Sequence, residues 1–310
     1  KTIWYISKYF VSPDENNSGG RGWNLMKKFS SKGCQSVVIS SENNYRLRFK
    51  KPTHNTKVQN LEGIKLIRLN VFKYSKAKSI LRVVSWLHFE LSLLLLNKTK
   101  LPTPSVIIVS SLSLFTILNG ILLKKKYKSK LIFEIRDIWP LSLTEEGNFN
   151  TKNPLIMFLG WIEKWGYENS DIIVGTMPNL GEHVKNILGY AKHVECIPMG
   201  VVDNSDLRKT KVVNKYIDKY FNKEYFNIVY AGSIGITNAL ETFFKAALIL
   251  KKNEKIRFVV VGDGNLKNFF KKKYDYLPNV IFAPKVYKKK VQTILSFSNI
   301  VYLSVFKSKV

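Results

Sequence analysis

Cysteine is scarce, with only Cys34 and Cys196 in 310 residues. They lie far apart, and neither sits in a CxxC or beside a histidine, so no disulfide framework is implied. A reducing compartment is expected. Histidine is also sparse. His54, His88, His183 and His193 stand alone without a ligand-spaced partner, so the sequence supports no metal site. There is no Walker A phosphate loop and no GxGxxG after the first expected strand, which argues against a P-loop NTPase and a dinucleotide oxidoreductase. There is no GxSxG elbow for a serine nucleophile. The longest apolar stretch, Ser79 to Leu96, contains Arg82, His88 and Glu90 and makes a poor transmembrane span. The opening Lys1-Thr2-Ile3-Trp4-Tyr5-Ile6 is too short for a signal peptide and lacks a cleavage site, and an initiator Met is expected to have been removed.

Acid is scarce too. Fifty Lys and Arg face 22 Asp and Glu, a net charge of +28. Such a surface attracts nucleic acid, anionic lipid or phosphorylated substrates. Frequent Lys, Asn and Ile also fit proteins encoded by AT-rich DNA, so composition alone is a second source of the excess. The lysines are scattered, as in Lys124-Lys125-Lys126 and Lys271-Lys272-Lys273, and the aromatics sit in apolar runs rather than in a stacking ribbon. No nucleic acid partner is expected.

What is present is length and apolar content enough for two domains with real cores. Short apolar runs alternate with helical periodicity: strands at Ile3–Ile6, Val37–Ile39, Ile64–Leu69, Val106–Val109, Leu131–Ile135, Ile172–Val174 and Val194–Ile197. Between them the pattern predicts helices over Ser79–Leu96, Leu114–Leu123, Pro154–Asn169 and Asn179–Leu188, and one after Gly20. This is the signature of an α/β, doubly wound parallel sheet. The pattern breaks at Pro198-Met199-Gly200 and restarts at Asn227-Ile228-Val229. Two Rossmann-like domains are expected, 1–203 and 204–310. The second has about four strands and is expected to be incomplete.

Three strand-to-helix loops carry glycine: Gly19-Gly20, Gly232-Ser233-Ile234-Gly235, and Gly262-Asp263-Gly264. Such loops aim backbone N–H groups at an anion, though each is also an ordinary tight turn. A second constellation, Phe133-Glu134-Ile135-Arg136-Asp137-Ile138-Trp139-Pro140, leaves a buried strand with charge at its C-terminal end. Asp137 there can orient a hydroxyl or accept its proton, and Arg136 can hold a phosphate; a structural Arg–Asp pair is the alternative. Glu145 and Glu146 extend the loop toward an acceptor or toward solvent. The Ser79–Leu96 helix, approached by Lys73, Lys76 and Lys78, is either a core helix or a seat in an anionic bilayer interface.

In their order, these motifs, with Tyr9-Phe10, Pro13 and Ile197-Pro198-Met199-Gly200-Val201-Val202-Asp203, resemble glycosyltransferase family 4 over nearly the whole chain. Arg136-Asp137-Ile138-Trp139-Pro140 is similar to the bacterial branch that transfers N-acetylated amino sugars, including L-fucosamine transferases. The resemblance implies a GT-B fold with two Rossmann-like domains facing a cleft. It implies a nucleotide-sugar donor, a UDP-sugar, on the C-terminal side, an acceptor on the N-terminal side, and retention of configuration without a required metal or other cofactor. By position, Gly19 and Gly20 approach the donor phosphates, Asp137 sits by the reacting sugar or acceptor hydroxyl, and residues 232–235 and 262–264 line the nucleotide side. Two departures stand out. Thr237-Asn238-Ala239-Leu240 occupy the place of the family's Arg and Lys diphosphate clamp. The family's Glu-x7-Glu segment is expected beyond Leu303, so this chain is expected to bind donor poorly or to be inactive.

The reading that follows is a hexosyltransferase-type enzyme of surface-polysaccharide synthesis. It would use a polyprenyl-diphosphate-linked or glycan acceptor, in the cytoplasm and peripheral at the inner face of an anionic membrane. A GT-B-type nucleotide-sugar epimerase, and a non-catalytic basic protein binding membrane or nucleic acid, remain the alternatives.

Overall fold

The computed structural model describes residues 1–16, 19–42, 56–74, 80–145, 149–200, 211–222 and 224–303. The chain divides into two compact units, Lys1–Val201 and Val202–Lys309. The boundary expected at 203/204 lies outside the described residues, as do Ser18, Lys76, Lys78, Glu146 and everything beyond Leu303.

The first unit holds strands β1 (Thr2–Ile6), β2 (Gln35–Ser41), β3 (Lys57–Leu61), β4 (Ile64–Leu69), β5 (Val106–Ser110), β6 (Lys130–Ile135), β7 (Ile172–Gly175) and β8 (Val194–Cys196). Its helices are α1 (Pro13–Asn16), α2 (Arg21–Ser31), α3 (Ile80–Leu95), α4 (Thr116–Tyr127), α5 (Leu141–Glu145), α6 (Pro154–Asn169) and α7 (Leu180–Leu188). The sheet order is β3-β4-β2-β1-β5-β6-β7-β8. Seven strands run parallel; the apolar residues of the central β1, β5 and β6 are buried on both faces, as a sheet covered by helices requires, while the edge strand β8 is largely exposed. Trp23 and Met26 of α2 pack on one face, with Tyr5 and Phe10. On the other face, Phe89 and Leu93 of α3, Ile117 and Ile121 of α4, Leu159 and Ile162 of α6 and Val184 of α7 share one core with Trp4 and Phe133. Each such side chain contributes roughly 1.5–3 kcal/mol by leaving water.

The strand at β3 departs from an all-parallel reading. It pairs antiparallel with β4 through a two-residue turn, Glu62 and Gly63, both at positive φ. Its polar Lys-Val-Gln-Asn-Leu sequence suits an exposed edge and carries no apolar run to announce it. Two other helix boundaries follow local chemistry. Asn153 caps α6 by accepting from Leu155 N at 2.9 Å, with Pro154 in the first turn. Gly189 ends α7 in the left-handed region.

The second unit runs α8 (Lys211–Tyr220), β9 (Phe226–Ser233), a 3-10 turn at Ile236–Asn238, α9 (Glu241–Ile249), β10 (Ile256–Asp263), α10 (Lys267–Tyr274), β11 (Val280–Ala283), α11 (Lys288–Leu295) and β12 (Ile300–Val301). Its sheet is parallel, in the order β11-β10-β9-β12. Phe243, Phe244, Phe258 and Phe270 form one core, and Val229, Val259 and Ile294 belong to the other.

Candidate functional site

In each sheet the strand order reverses beside the first strand. β1 has β2 on one side and the later β5 on the other; β9 has β10 on one side and the later β12 on the other. Loops at the C-terminal ends of such strands form the crevice in which open α/β sheets hold ligands. The Gly19-Gly20 loop follows β1, and the Gly232–Gly235 loop follows β9.

In the first unit, Gly19 takes φ +64°, where a Cβ would stand 2.6 Å from the Trp23 ring. Gly20 is the extended N-cap of α2, with its N–H given to Val11 O at 3.0 Å and no side chain capping the helix. Next to it Arg21 uses its whole guanidinium. Nε donates to Glu134 Oε1 at 2.8 Å, Nη1 to Pro198 O at 2.8 Å and Nη2 to Ile197 O at 2.9 Å. Tyr5 donates to the other oxygen of Glu134 at 2.6 Å. Burial first, and then the Glu134 carboxylate, raises the Tyr5 hydroxyl well above its ordinary pKa. Arg21, Tyr5 and Glu134 therefore draw the Gly19-Gly20 loop and the end of β6 together.

Arg136 and Asp137 follow β6. The Arg136 amide donates to Ser111 Oγ at 3.0 Å. The Asp137 carboxylate accepts from Trp139 Nε1 at 2.9 Å and from the Ser142 hydroxyl. Asp137 thus shapes its own loop and pairs there with Trp139 and Ser142. Glu145 is exposed at the end of α5, and Glu146 lies outside the described residues.

In the second unit, β9 and β10 pair to their last residues, Gly232 opposite Gly262 and Ser233 opposite Asp263. A Cβ at Gly262 would fall 1.9 Å from Gly232 O, and one at Gly264 2.2 Å from Ile234 O. Only hydrogen fits at either place. Ile234 N donates to Asp263 O at 3.0 Å and Leu266 N to Ile234 O at 3.1 Å, which stitches the two glycine loops into one surface. Gly235 is extended and leads into the 3-10 turn.

Sequence reasoning missed the cations at this surface. Lys267 Nζ donates to Gly262 O at 2.9 Å, and Lys285 lies 3.1 Å from Asp263 Oδ2. The Lys285 ammonium and the Gly264 amide hold the Asp263 carboxyl below its usual range. The signal lay in the register: Val261 pairs with Ala283, which sets residue 285 beside residue 263. Sequence reasoning also missed Lys8, buried just past β1. Its ammonium donates to Ser85 Oγ at 2.8 Å. Burial pushes it down to about 7, and pushes Glu90 on α3 up to about 7.

No family model and no curated protein matches the chain. Solved structures do. Sucrose-phosphate synthase from Thermosynechococcus elongatus aligns over 99% of this chain and 77% of its own, with TM-score 0.67 and 13% identity. The catalytic domain of starch synthase IV from Arabidopsis thaliana, bound to ADP and acarbose, aligns over 98% and 78%, with TM-score 0.66 and 10% identity. The chain has the GT-B fold. Anabaena HepE in complex with UDP and glucose shares this GT-B architecture over 98% of this chain and 74% of its own, with TM-score 0.58 and 9% identity. Each GT-B unit of the present chain carries a glycine loop at its own strand-order reversal.

Proposed function

We propose that this GT-B protein is a retaining glycosyltransferase. It moves a sugar, an N-acetylated amino sugar, from a UDP-sugar to a lipid-linked acceptor in surface-polysaccharide synthesis. The observation that carries the proposal is the pair of glycine loops at the two strand-order reversals, in a fold whose solved examples include complexes with UDP and ADP.

The reaction breaks the bond between the anomeric carbon and the diphosphate oxygen. The acceptor oxygen bonds to that carbon on the same face, and its proton leaves with the diphosphate. Negative charge grows on the leaving group. Backbone amides of the 232–235 and 262–264 loops other than those of Ile234 and Gly264, which Asp263 already engages, and the ammonium groups of Lys267 and Lys285 supply the opposing charge. These lysines take the place of the absent Arg and Lys clamp, and no metal is assigned a role. Asp137, steered by Trp139 and Ser142, orients the acceptor hydroxyl, and Arg136 lies beside it on the same loop. The Gly19-Gly20 loop approaches the donor phosphates. The enzyme works in the cytoplasm, peripheral at an anionic membrane face that carries its acceptor.

Calorimetry with UDP, GDP and UDP-sugars, followed by UDP release with and without a polyprenyl-diphosphate-linked sugar, tests the proposal. Binding of a UDP-sugar with acceptor-dependent UDP release is the expected result for a chain extended through the family's Glu-x7-Glu segment, with weaker binding by residues 1–310. Absence of nucleotide binding by both removes the transferase reading. Acceptor-independent conversion of the sugar would point to an epimerase.

A further inference from the structure

No helix among the described residues is long and apolar enough to cross a membrane. Helix α3 is nevertheless apolar on both sides. Its inner side, Ser85, Trp86, Phe89 and Leu93, is buried. Its outer side presents Val84, Leu87, Leu91, Leu94 and Leu95, each between 45% and 74% exposed. A helix on a protein surface ordinarily turns charge outward. The only acid of α3, Glu90, is turned inward, where it accepts from Thr116 Oγ1 at 2.6 Å and Asn119 Nδ2 at 2.8 Å.

The neighbouring helices continue this surface. Helix α4 packs against both α3 and α6. Its outward ridge runs from Leu122 to the exposed Lys125 and Lys126. Helix α6 exposes Met157, Phe158 and Trp161. Aromatic rings join the helices: Trp86 to Phe115 at 6.3 Å, Phe115 to Phe158 at 6.5 Å and Phe158 to Trp161 at 6.1 Å, with Trp161 stacked on Trp165. Glu163 of α6 is buried against Tyr167 and His183, whereas Lys164 is exposed.

We infer that the outer face of α3, α4 and α6 docks this protein on an anionic lipid bilayer, with the leucines and Trp161 in the interface and the lysines on the headgroups. The inference deepens the lipid-linked acceptor reading above and rests on it. Charge complementarity selects this occupant. The chain carries +28, Lys125, Lys126 and Lys164 accompany the apolar side chains, Glu163 is buried and Glu90 is half-buried and turned inward, which leaves Glu168 near the end of α6 as the exposed acid of the three helices. A free polyanion such as RNA would use the lysines and leave the leucines in water.

The test is co-sedimentation with vesicles of phosphatidylcholine alone and of phosphatidylcholine with phosphatidylglycerol. The wild type should bind the anionic vesicles and release them as salt rises. The triple variant Leu87→Gln, Leu91→Gln, Leu94→Gln should lose about tenfold or more in partitioning. Lys125→Gln with Lys126→Gln should weaken binding to anionic vesicles alone. Circular dichroism establishes that each variant folds. Wild-type protein that ignores anionic vesicles overturns the inference, and so does a triple variant that binds like wild type. A concentration-dependent dimer that the triple variant abolishes assigns the face to a second copy instead. UDP binding is measured on the same samples without lipid. Lost vesicle binding with intact UDP binding removes the membrane face alone, and vesicle binding with no UDP binding, by this chain and by one extended through the family's Glu-x7-Glu segment, removes the transferase reading alone.

Discussion

Lys8 and Glu90 place two ionisable groups inside one core, and their pKa values move in opposite directions. Burial raises Glu90 from 4.5 to about 7 and lowers Lys8 from 10.5 to about 7. Between pH 4.5 and 7 the folded protein keeps a Glu90 proton that the unfolded chain has released, so this group makes stability fall as pH rises. Between 7 and 10.5 the unfolded chain holds a Lys8 proton that the folded protein has lost, so stability climbs again. The acid limb is of order 3 kcal/mol and the alkaline limb of order 5 kcal/mol. Denaturation midpoints against pH should trace a minimum near neutrality. Glu90→Gln should flatten the acid limb and Lys8→Met the alkaline one; a featureless wild-type profile would contradict both assignments. At the second unit's loops, Lys285→Ala should weaken UDP binding by about tenfold, the worth of one charge-assisted contact, as read by calorimetry. Gly264→Ala should cost about 3 kcal/mol of stability, because its methyl carbon would meet Ile234 O at 2.2 Å.

Among the elements, α2, β6 and the segment after β8 share one fastening, the Arg21 guanidinium. Arg21 and Glu134 are both nearly sealed from water, at 6% and 2% exposure. Arg21→Ala should therefore cost about 3 kcal/mol, since it strands a buried carboxylate. It should also speed hydrogen exchange at Ile197, whose amide donates to Gly175 O at 2.8 Å beside the carbonyls that Arg21 holds. Unchanged exchange there would show that the fastening is idle. The elements themselves were largely legible in advance. The Pro154–Asn169 helix follows from its cap, its proline and its period, and the apolar strands from runs such as Val106-Ile107-Ile108-Val109. What escaped was structure without an apolar signal: the polar edge strand β3, the short helices α1 and α5, and the 3-10 turn. The site was less legible than the fold. Glycine loops and the Arg136-Asp137 string are local patterns, whereas Arg21 with Glu134, and Lys285 with Asp263, are meetings across 113 and 22 positions set by strand register. Periodicity carries no information about such pairs.

For the molecule as a whole, charge and apolar surface belong to one argument. Net charge read alone pointed to several polyanions. The fold narrows the choice, because the outward side of α3, α4 and α6 combines leucines and a tryptophan with lysines. Raising salt should release the protein from anionic vesicles without dispersing its fold, which far-ultraviolet circular dichroism would record in parallel. The glycine crossing of β9 and β10 has a consequence for how this protein can diversify. Where a Cβ would lie 1.9 Å from Gly232 O, the surface is main chain only, and no viable substitution can reword it. Descendants of this gene must therefore diverge through side chains elsewhere, while the glycine surface passes unchanged among them.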